Sequence, residues 1–302
     1  MKSQMPRIAS AFLAAAVAAA ASAAPSLDTA KVDQLTGLKG ALNKKEGVYK
    51  VSLPRADLKI TVDNWQMPPF MGLTSWAAFQ PGMKNNAMVM GDLVLMQDEV
   101  NPVMSAALDN GLEVTALHNH FLFDEPKVYF MHIGGEGSVE QLATGVRHAF
   151  DKVKEIRAGS PQPATSFAVG ALPTESSISP KPLETILGVT GQTNSGMFKA
   201  VFGRTAKMPC GCEAGKEMGV NTWAAFAGAD DNALVDGDFA MTEDELQTVL
   251  KTLRAGGVNI VAIHNHMTGE TPRYIFLHYW GRGPAASLAR SLKKALDAQH
   301  RP

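Results

Sequence analysis

His118-Asn119-His120 followed by His132, and His264-Asn265-His266 followed by His278, are one stretch written twice. In both, twelve positions separate the second histidine from the third, and six of the eight histidines in the chain belong to these two triads. An acid lies four residues beyond each pair, Asp124 and Glu270. A Pro-basic step follows at Pro126-Lys127 and Pro272-Arg273.

Working outward from the triads, the rest of the chain also matches itself. Leu35-Thr36-Gly37 corresponds to Ile186-Leu187-Gly188, and Gly47-Val48-Tyr49-Lys50 to Gly196-Met197-Phe198-Lys199. Trp76-Ala77-Ala78-Phe79 corresponds to Trp223-Ala224-Ala225-Phe226, Gly91-Asp92 to Gly237-Asp238, and Asp98-Glu99 to Asp244-Glu245. The offset drifts from 151 (Leu35 to Ile186) to 146 (Gly91 to Gly237) and then holds, as small loop deletions would produce. The chain therefore reads as two tandem repeats, residues 26–157 and 178–302. Residues 158–177, rich in Pro, Ser and other small residues, join them.

Within a repeat the hydrophobic period alternates. Leu27 to Leu38 predicts a short opening helix, and Val48–Leu53, Trp76–Phe79 and Met88–Leu95 predict strands. A helix is expected from Gln97 to Asn110, ended by Gly111 where a left-handed residue suits glycine. Its counterpart starts at Thr242-Glu243-Asp244-Glu245, which has the form of a capping box. Val114–His120 and Val128–His132 predict a strand pair joined by a turn at Asp124-Glu125-Pro126. A closing helix carries Val139, Leu142, Val146, Phe150 and Val153 on one stripe, capped by Ser138. The expected class is α+β: two copies of an α-β-β-β-α-β-β-α unit, helices packed on an antiparallel or mixed sheet.

Alternate strand residues share a face, so His118 and His120 project together, and His264 and His266 likewise. If the returning strand pairs in even register, His132 and His278 join them; a slip of one residue turns them away. Three converging imidazoles match catalytic zinc sites, and imidazole also suits copper, iron or nickel. Asp124 and Glu270 could add a fourth ligand or orient a histidine. Glu99 and Glu245 recur at a predicted helix start, where a carboxylate caps free N–H groups; placed near a metal they would act as general base. Met208, Cys210, Cys212 and Met218 gather soft sulfur that favours Cu(I), although most methionines fill cores. A disulfide between cysteines one residue apart is disfavoured by spacing. Trp76, Trp223, Phe79 and Phe226 are expected in the core, and Lys127 and Arg273 as solvated turn residues.

Two alternatives stand beside a metal: structural histidines copied by duplication, and metal-free acid–base chemistry. The leading expectation is an exported transition-metal-binding protein, with zinc favoured and copper suited. A rival is a hydrolase in which Glu99 or Glu245 deprotonates a zinc-bound water. A third is a structural or small-molecule-binding module without metal.

Composition bounds these readings. The chain has 302 residues, 45% hydrophobic and 19% charged, with a formal net charge of −1. That balance fits globular repeats with real cores and offers no electrostatic attraction to nucleic acid or an anionic membrane. Lys2 and Arg7, the Ala-rich run and Ala21-Ser22-Ala23 have the layout of a signal peptide over residues 1–24, which predicts a periplasmic or secreted protein. No later run reaches the length of a membrane span.

The duplicated unit, the signal-like start and the repeated Trp-Ala-Ala-Phe…His-Asn-His…His pattern together resemble the LppY/LpqO-like family of exported bacterial proteins. The resemblance covers nearly all of the chain beyond residue 24 and implies export and a duplicated domain, but no reaction. This chain lacks the lipobox cysteine of the lipoprotein members. A second resemblance, to cupins, rests on His264-Asn265-His266-Met267-Thr268-Gly269-Glu270; the helices flanking each triad do not suit a small all-β barrel.

Overall fold

The computed structural model describes residues 27–83, 86–167 and 170–299; the expected signal peptide, residues 1–24, lies outside them. The first repeat runs α1 (Thr29–Thr36), β1 (Ala41–Asn43), β2 (Val48–Pro54), β3 (Thr61–Val62), β4 (Trp65–Gln66), β5 (Thr74–Pro81) and β6 (Ala87–Met96). It continues with α2 (Gln97–Asp109), β7 (Glu113–His118), β8 (Asp124–Glu125), β9 (Val128–Gly137) and α3 (Val139–Gly159). The second runs α4 (Pro180–Leu187), β10 (Gln192–Asn194), β11 (Met197–Gly203), β12 (Ala206–Lys207), β13 (Glu213–Ala214), β14 (Asn221–Ala229) and β15 (Asn232–Thr242). It ends with α5 (Leu246–Ala255), β16 (Asn259–His264), β17 (Tyr274–Gly283) and α6 (Ala285–Asp297). Short edge strands aside, both repeats are the expected α-β-β-β-α-β-β-α unit, and the class is α+β.

The repeats do not form separate sheets. Twelve strands make one sheet in the order β1-β2-β5-β6-β9-β7-β16-β17-β15-β14-β11-β10. Its two halves mirror each other about the β7–β16 junction. Neighbouring strands within each half pair antiparallel, and β7 meets β16 antiparallel through Leu117 and Ile263. All six helices pack on one face. A single buried cluster there joins Val89, Leu93, Leu117 and Met131 to Val235, Phe239, Ile263 and Leu277 of the other repeat.

The junction is clasped by side chains. Beyond Leu117 and Ile263 the two strands diverge and would leave backbone groups unpaired. Asn101 of α2 fills one gap, accepting from Ile260 N–H at 2.7 Å and donating to its carbonyl at 3.1 Å. Gln247 of α5 fills the other, bonding Val114 N–H and C=O at 3.0 Å each. Asn101 and Gln247 are equivalent positions, so each repeat supplies an amide that extends the other's sheet.

A bulge sets the face of the histidines. The β7–β9 register shifts between Val114 and Ala116, and β16–β17 shifts between Ile260 and Ala262. Val114 and Leu117 both point into the core, as do Ile260 and Ile263, although three residues separate each pair. The next residue, His118 or His264, therefore emerges on the face opposite the helices.

On that face the loops before β5 and β14 fold back over the sheet. In the first repeat the cover buries Ile60, Met67 and Leu73 against Val94, Met96, Val128 and Phe130. In the second, Ala206, Ala214 and Val220 cover Ala240, Tyr274 and Phe276. Between cover and junction a stretch of sheet stays open.

The fold is an open sheet with helices on one face, not the cupin barrel that the helices flanking each triad argue against. Two local expectations are corrected. The capping box before α5 is half formed: Glu245 accepts from Thr242 N–H at 2.9 Å, but the Thr242 hydroxyl bonds Asp244 instead. Phe79 and Phe226 lie in the core as expected. Trp76 and Trp223 do not: they sit half-buried on the open face, under the ammonium groups of Lys50 (3.9 Å) and Lys199 (4.3 Å).

Candidate metal centre

In the second repeat, three adjacent strands bring Asp238, His278 and His264 into one patch. Asp238 of β15 lies directly opposite His278 of β17, and Phe276, two residues earlier, lies opposite His264 of β16. This is the even register. The rings of His264 and His278 stack with centroids 4.8 Å apart. His266, just past the strand end, folds back over Phe276 with centroids 3.6 Å apart, which brings its Nε2 to 3.0 Å from Asp238 Oδ2. Potential donor atoms of Asp238, His264 and His266 all lie within 4.8 Å of one another.

The first repeat repeats the plan. Asp92 of β6 opposes His132 of β9, and Phe130 opposes His118 of β7. His118 lies 5.1 Å from both His120 and His132 by ring centroids, and His120 stacks on Phe130 at 3.4 Å. Phe130 and Phe276 are fully buried, so each site has a rigid aromatic floor.

Glycine makes room for the acid strand. A Cβ on Gly91 would lie 2.7 Å from the Trp76 carbonyl, and one on Gly237 would lie 2.2 Å from the Tyr279 hydroxyl. That hydroxyl donates to the Trp223 carbonyl at 2.8 Å, next to Asp238 on the sheet. The repeated Gly-Asp step therefore packs the strand tightly and places the carboxylate beside the histidines.

The electrostatics favour a cation. Nδ1 of His266 faces the Gly219 carbonyl at 3.3 Å while its Nε2 faces Asp238. With Nδ1–H turned to the carbonyl, the Nε2 lone pair is aimed to the Asp238 side, where a metal ion can be held between them. Nδ1 of His278 meets the Gly237 carbonyl at 3.3 Å, which as a donor leaves its Nε2 lone pair free. Of the buried side-chain atoms with no hydrogen-bond partner among the described residues, three lie here: Asp92 Oδ1, Asp238 Oδ1 and His264 Nδ1. Burial, then the neighbouring His278 and His266, pushes His264 down to about 4, so it is neutral at physiological pH. Burial lowers His120 as well, and raises the Asp238 carboxyl against the pull of His266 and His278.

The expected ligands divide. All six triad histidines lie together in their sites. Asp124 and Glu270 do not join them. Asp124 accepts from Val128 N–H at 2.8 Å and pairs with Lys127 at 2.9 Å; Glu270 accepts from Tyr274 N–H at 3.0 Å. Both carboxylates brace the turn, each beside a cis X-Pro bond at Pro126 or Pro272. Arg273 pairs with Glu243 at 3.2 Å.

Glu99 and Glu245 are held elsewhere. Glu99 is fully buried, hydrogen-bonded by Arg55 at 2.8 and 2.9 Å and by Met96 N–H at 2.8 Å, and ion-paired with Arg157 at 2.8 Å. Glu245 is bonded by Arg204 at 2.6 Å, with Gln299 at 3.1 Å. With every oxygen engaged by donors, neither is arranged as a general base, and the capping and ion-pair role is what the geometry displays.

Cys210 and Cys212 are joined in a disulfide, contrary to the reading from their spacing. Met208 packs in the apolar cover and Met218 is exposed, so the soft sulfurs do not converge as free ligands.

Asp92 and Asp238, which the structure sets beside the triads, were not among the candidate ligands read from the sequence. Their signal was in the repeat, where Gly-Asp recurs, but only sheet pairing sets the acid strand beside the histidine strand.

Among curated proteins nothing matches the chain. A solved structure with which it aligns, a trimeric bacterial microcompartment shell protein PduB, shares 11% identity over 86% of this chain and 89% of that one, with a TM-score of 0.19; likeness at that level carries no argument. Among the described residues no helix is long and apolar enough to cross a membrane. The model of the family described as Domain of Unknown Function (DUF1259) matches twice, over residues 30–152 and 181–298, and the chain belongs to that family as two tandem copies of its domain.

Proposed function

We propose that each repeat binds a divalent transition-metal ion on the open face of the sheet, through Asp238, His264, His266 and His278 in the second repeat and Asp92, His118, His120 and His132 in the first. Carboxylate and imidazole donors suit zinc, with copper the alternative. One observation carries the reading. Asp238, His264 and His266 present donor atoms within 4.8 Å of one another, and Asp238 Oδ1 and His264 Nδ1 are buried without hydrogen-bond partners among the described residues. An unpaired buried polar group costs about 1–3 kcal/mol, a cost that a bound cation would remove. The second repeat, with donors already clustered, would be the tighter site. Binding, buffering or delivery of metal fits this better than hydrolysis, because Glu99 and Glu245 are committed to arginines. The signal-like start and the LppY/LpqO-like pattern support the further proposal that this happens outside the cytoplasm.

The test is metal content. Chelator-stripped protein, loaded with Zn2+ and desalted, is expected to retain zinc, with His266→Ala removing the tighter site and His120→Ala the weaker. Absence of retained zinc or copper in the wild-type protein ends the proposal.

A further inference from the structure

A cavity lies between the repeats, walled by Gln97, Val100 and Asn101 of the first and by Asn259, Val261 and His278 of the second. It measures about 410 Å³ and opens where β16 diverges from the first repeat. Tyr129 of β9, Phe167 of the connecting segment and Trp280 of β17 contribute aromatic rings; Asp236 of β15 contributes the one carboxylate. No lysine or arginine lines it. Arg254, behind the wall, donates to the Val258 carbonyl, Asn259 and Ser105. Asp236 and Trp280 are direct cross-strand partners. The Asp236 carboxylate makes no hydrogen bond or ion pair among the described residues, and the residue is only partly exposed.

The duplication serves as an internal control. At the constant offset of 146, Asp236 corresponds to Met90, Trp280 to Gly134 and Tyr129 to Ile275. The metal-type residues were kept in both copies, whereas this group of aromatic rings and acid exists once. Sheet packing does not require it, because the equivalent strands of the first repeat pair in the same register without it.

We propose that this cavity binds an organic ammonium ion, an amine or quaternary ammonium group of small-molecule size. Aromatic faces attract a cation through their quadrupole, and the half-buried Asp236 carboxylate supplies the opposite charge. The volume suits a small ligand, lined mainly by apolar surface with few polar groups. An anionic ligand would meet Asp236 with no cation to offset it. His278, assigned above to the metal site, also lines this cavity, so the titration uses chelator-treated protein, in which no metal competes for that wall.

The probe is choline, with its uncharged isostere 3,3-dimethylbutan-1-ol, each titrated calorimetrically into the full chain. Choline is expected to bind at least tenfold tighter than the alcohol. Asp236→Asn, which keeps the shape, is expected to weaken choline at least tenfold, and Tyr129→Leu severalfold, with melting temperatures near the parent's. His266→Ala should leave choline binding unchanged. Equal binding of the alcohol, full binding by Asp236→Asn, or no choline binding at millimolar concentration would overturn the proposal.

Discussion

Replacing Glu99 by glutamine separates a structural carboxylate from a catalytic one. In the native fold the side chain is fully buried and meets two guanidinium groups, Arg55 and Arg157, with Arg55 itself only 2% exposed. Glutamine has the same shape but no charge. Its amide NH2 must face a guanidinium donor, and Arg55 keeps only Asp57 as counter-ion. Removing one partner of a buried ion pair costs about 3–5 kcal/mol. At about 2–4 °C per kcal/mol for a chain of this size, the melting temperature should fall by roughly 10 °C. Glu245 is the internal comparison. It meets one arginine, Arg204, whose side chain is 17% exposed, so Glu245→Gln should cost about half as much. Urea denaturation of both variants gives the two free energies, and zinc content is measured alongside. The expected result is a larger loss for Glu99→Gln than for Glu245→Gln, with zinc content intact in both. A loss below about 1 kcal/mol for Glu99→Gln, or zinc lost with stability untouched, would refute the reasoning.

Three further outcomes follow from the geometry. Zn2+ at a hundredfold excess over its dissociation constant should stabilise the protein by about 2.7 kcal/mol in thermal melts, and Asp238→Asn should abolish most of that gain; an unchanged gain would remove Asp238 from the site. His264 has a folded pKa of about 4, below its ordinary value of 6.5, so the unfolded chain binds the proton first as pH falls. Stability of the metal-free protein should therefore be full above about pH 6.5 and decline towards pH 4, by ~1–2 kcal/mol once the half-exposed ring is discounted for screening, and His264→Gln should flatten that slope. Asn101→Ala strands the N–H and carbonyl of buried Ile260, and Gln247→Ala those of Val114; each should cost about 1–3 kcal/mol, with faster amide exchange at the stranded residue.

Much of the fold was legible because duplication doubled every signal. The capped stripe of α3 and the alternation of β2 and β5 declared themselves by period, and Gly111 and Gly257 ended their helices at positive φ as glycine allows. The third histidine was legible only conditionally. Its face depends on strand register, and the bulge in β7 shifts that register by a residue in a way that Val114 to Leu117 does not announce. The acids nearest the triads in sequence do not lie with the histidines. Asp124 and Glu270 are close along the chain, yet the nearest backbone N–H groups, those of Val128 and Tyr274, claim them first. Asp92 and Asp238 lie 26 residues before the first histidine of their triads and reach them across β9 and β17.

By itself the sequence determined the repeat, the order of helices and strands, and the six histidines, because periodicity and self-similarity are properties of the chain. Only the tertiary structure decided that the two repeats share one sheet, that the clasping amides of Asn101 and Gln247 cross between them, and that an aspartate completes each triad. Those features depend on which strands lie side by side, and hydrogen-bonded neighbours in a sheet can come from anywhere in the sequence.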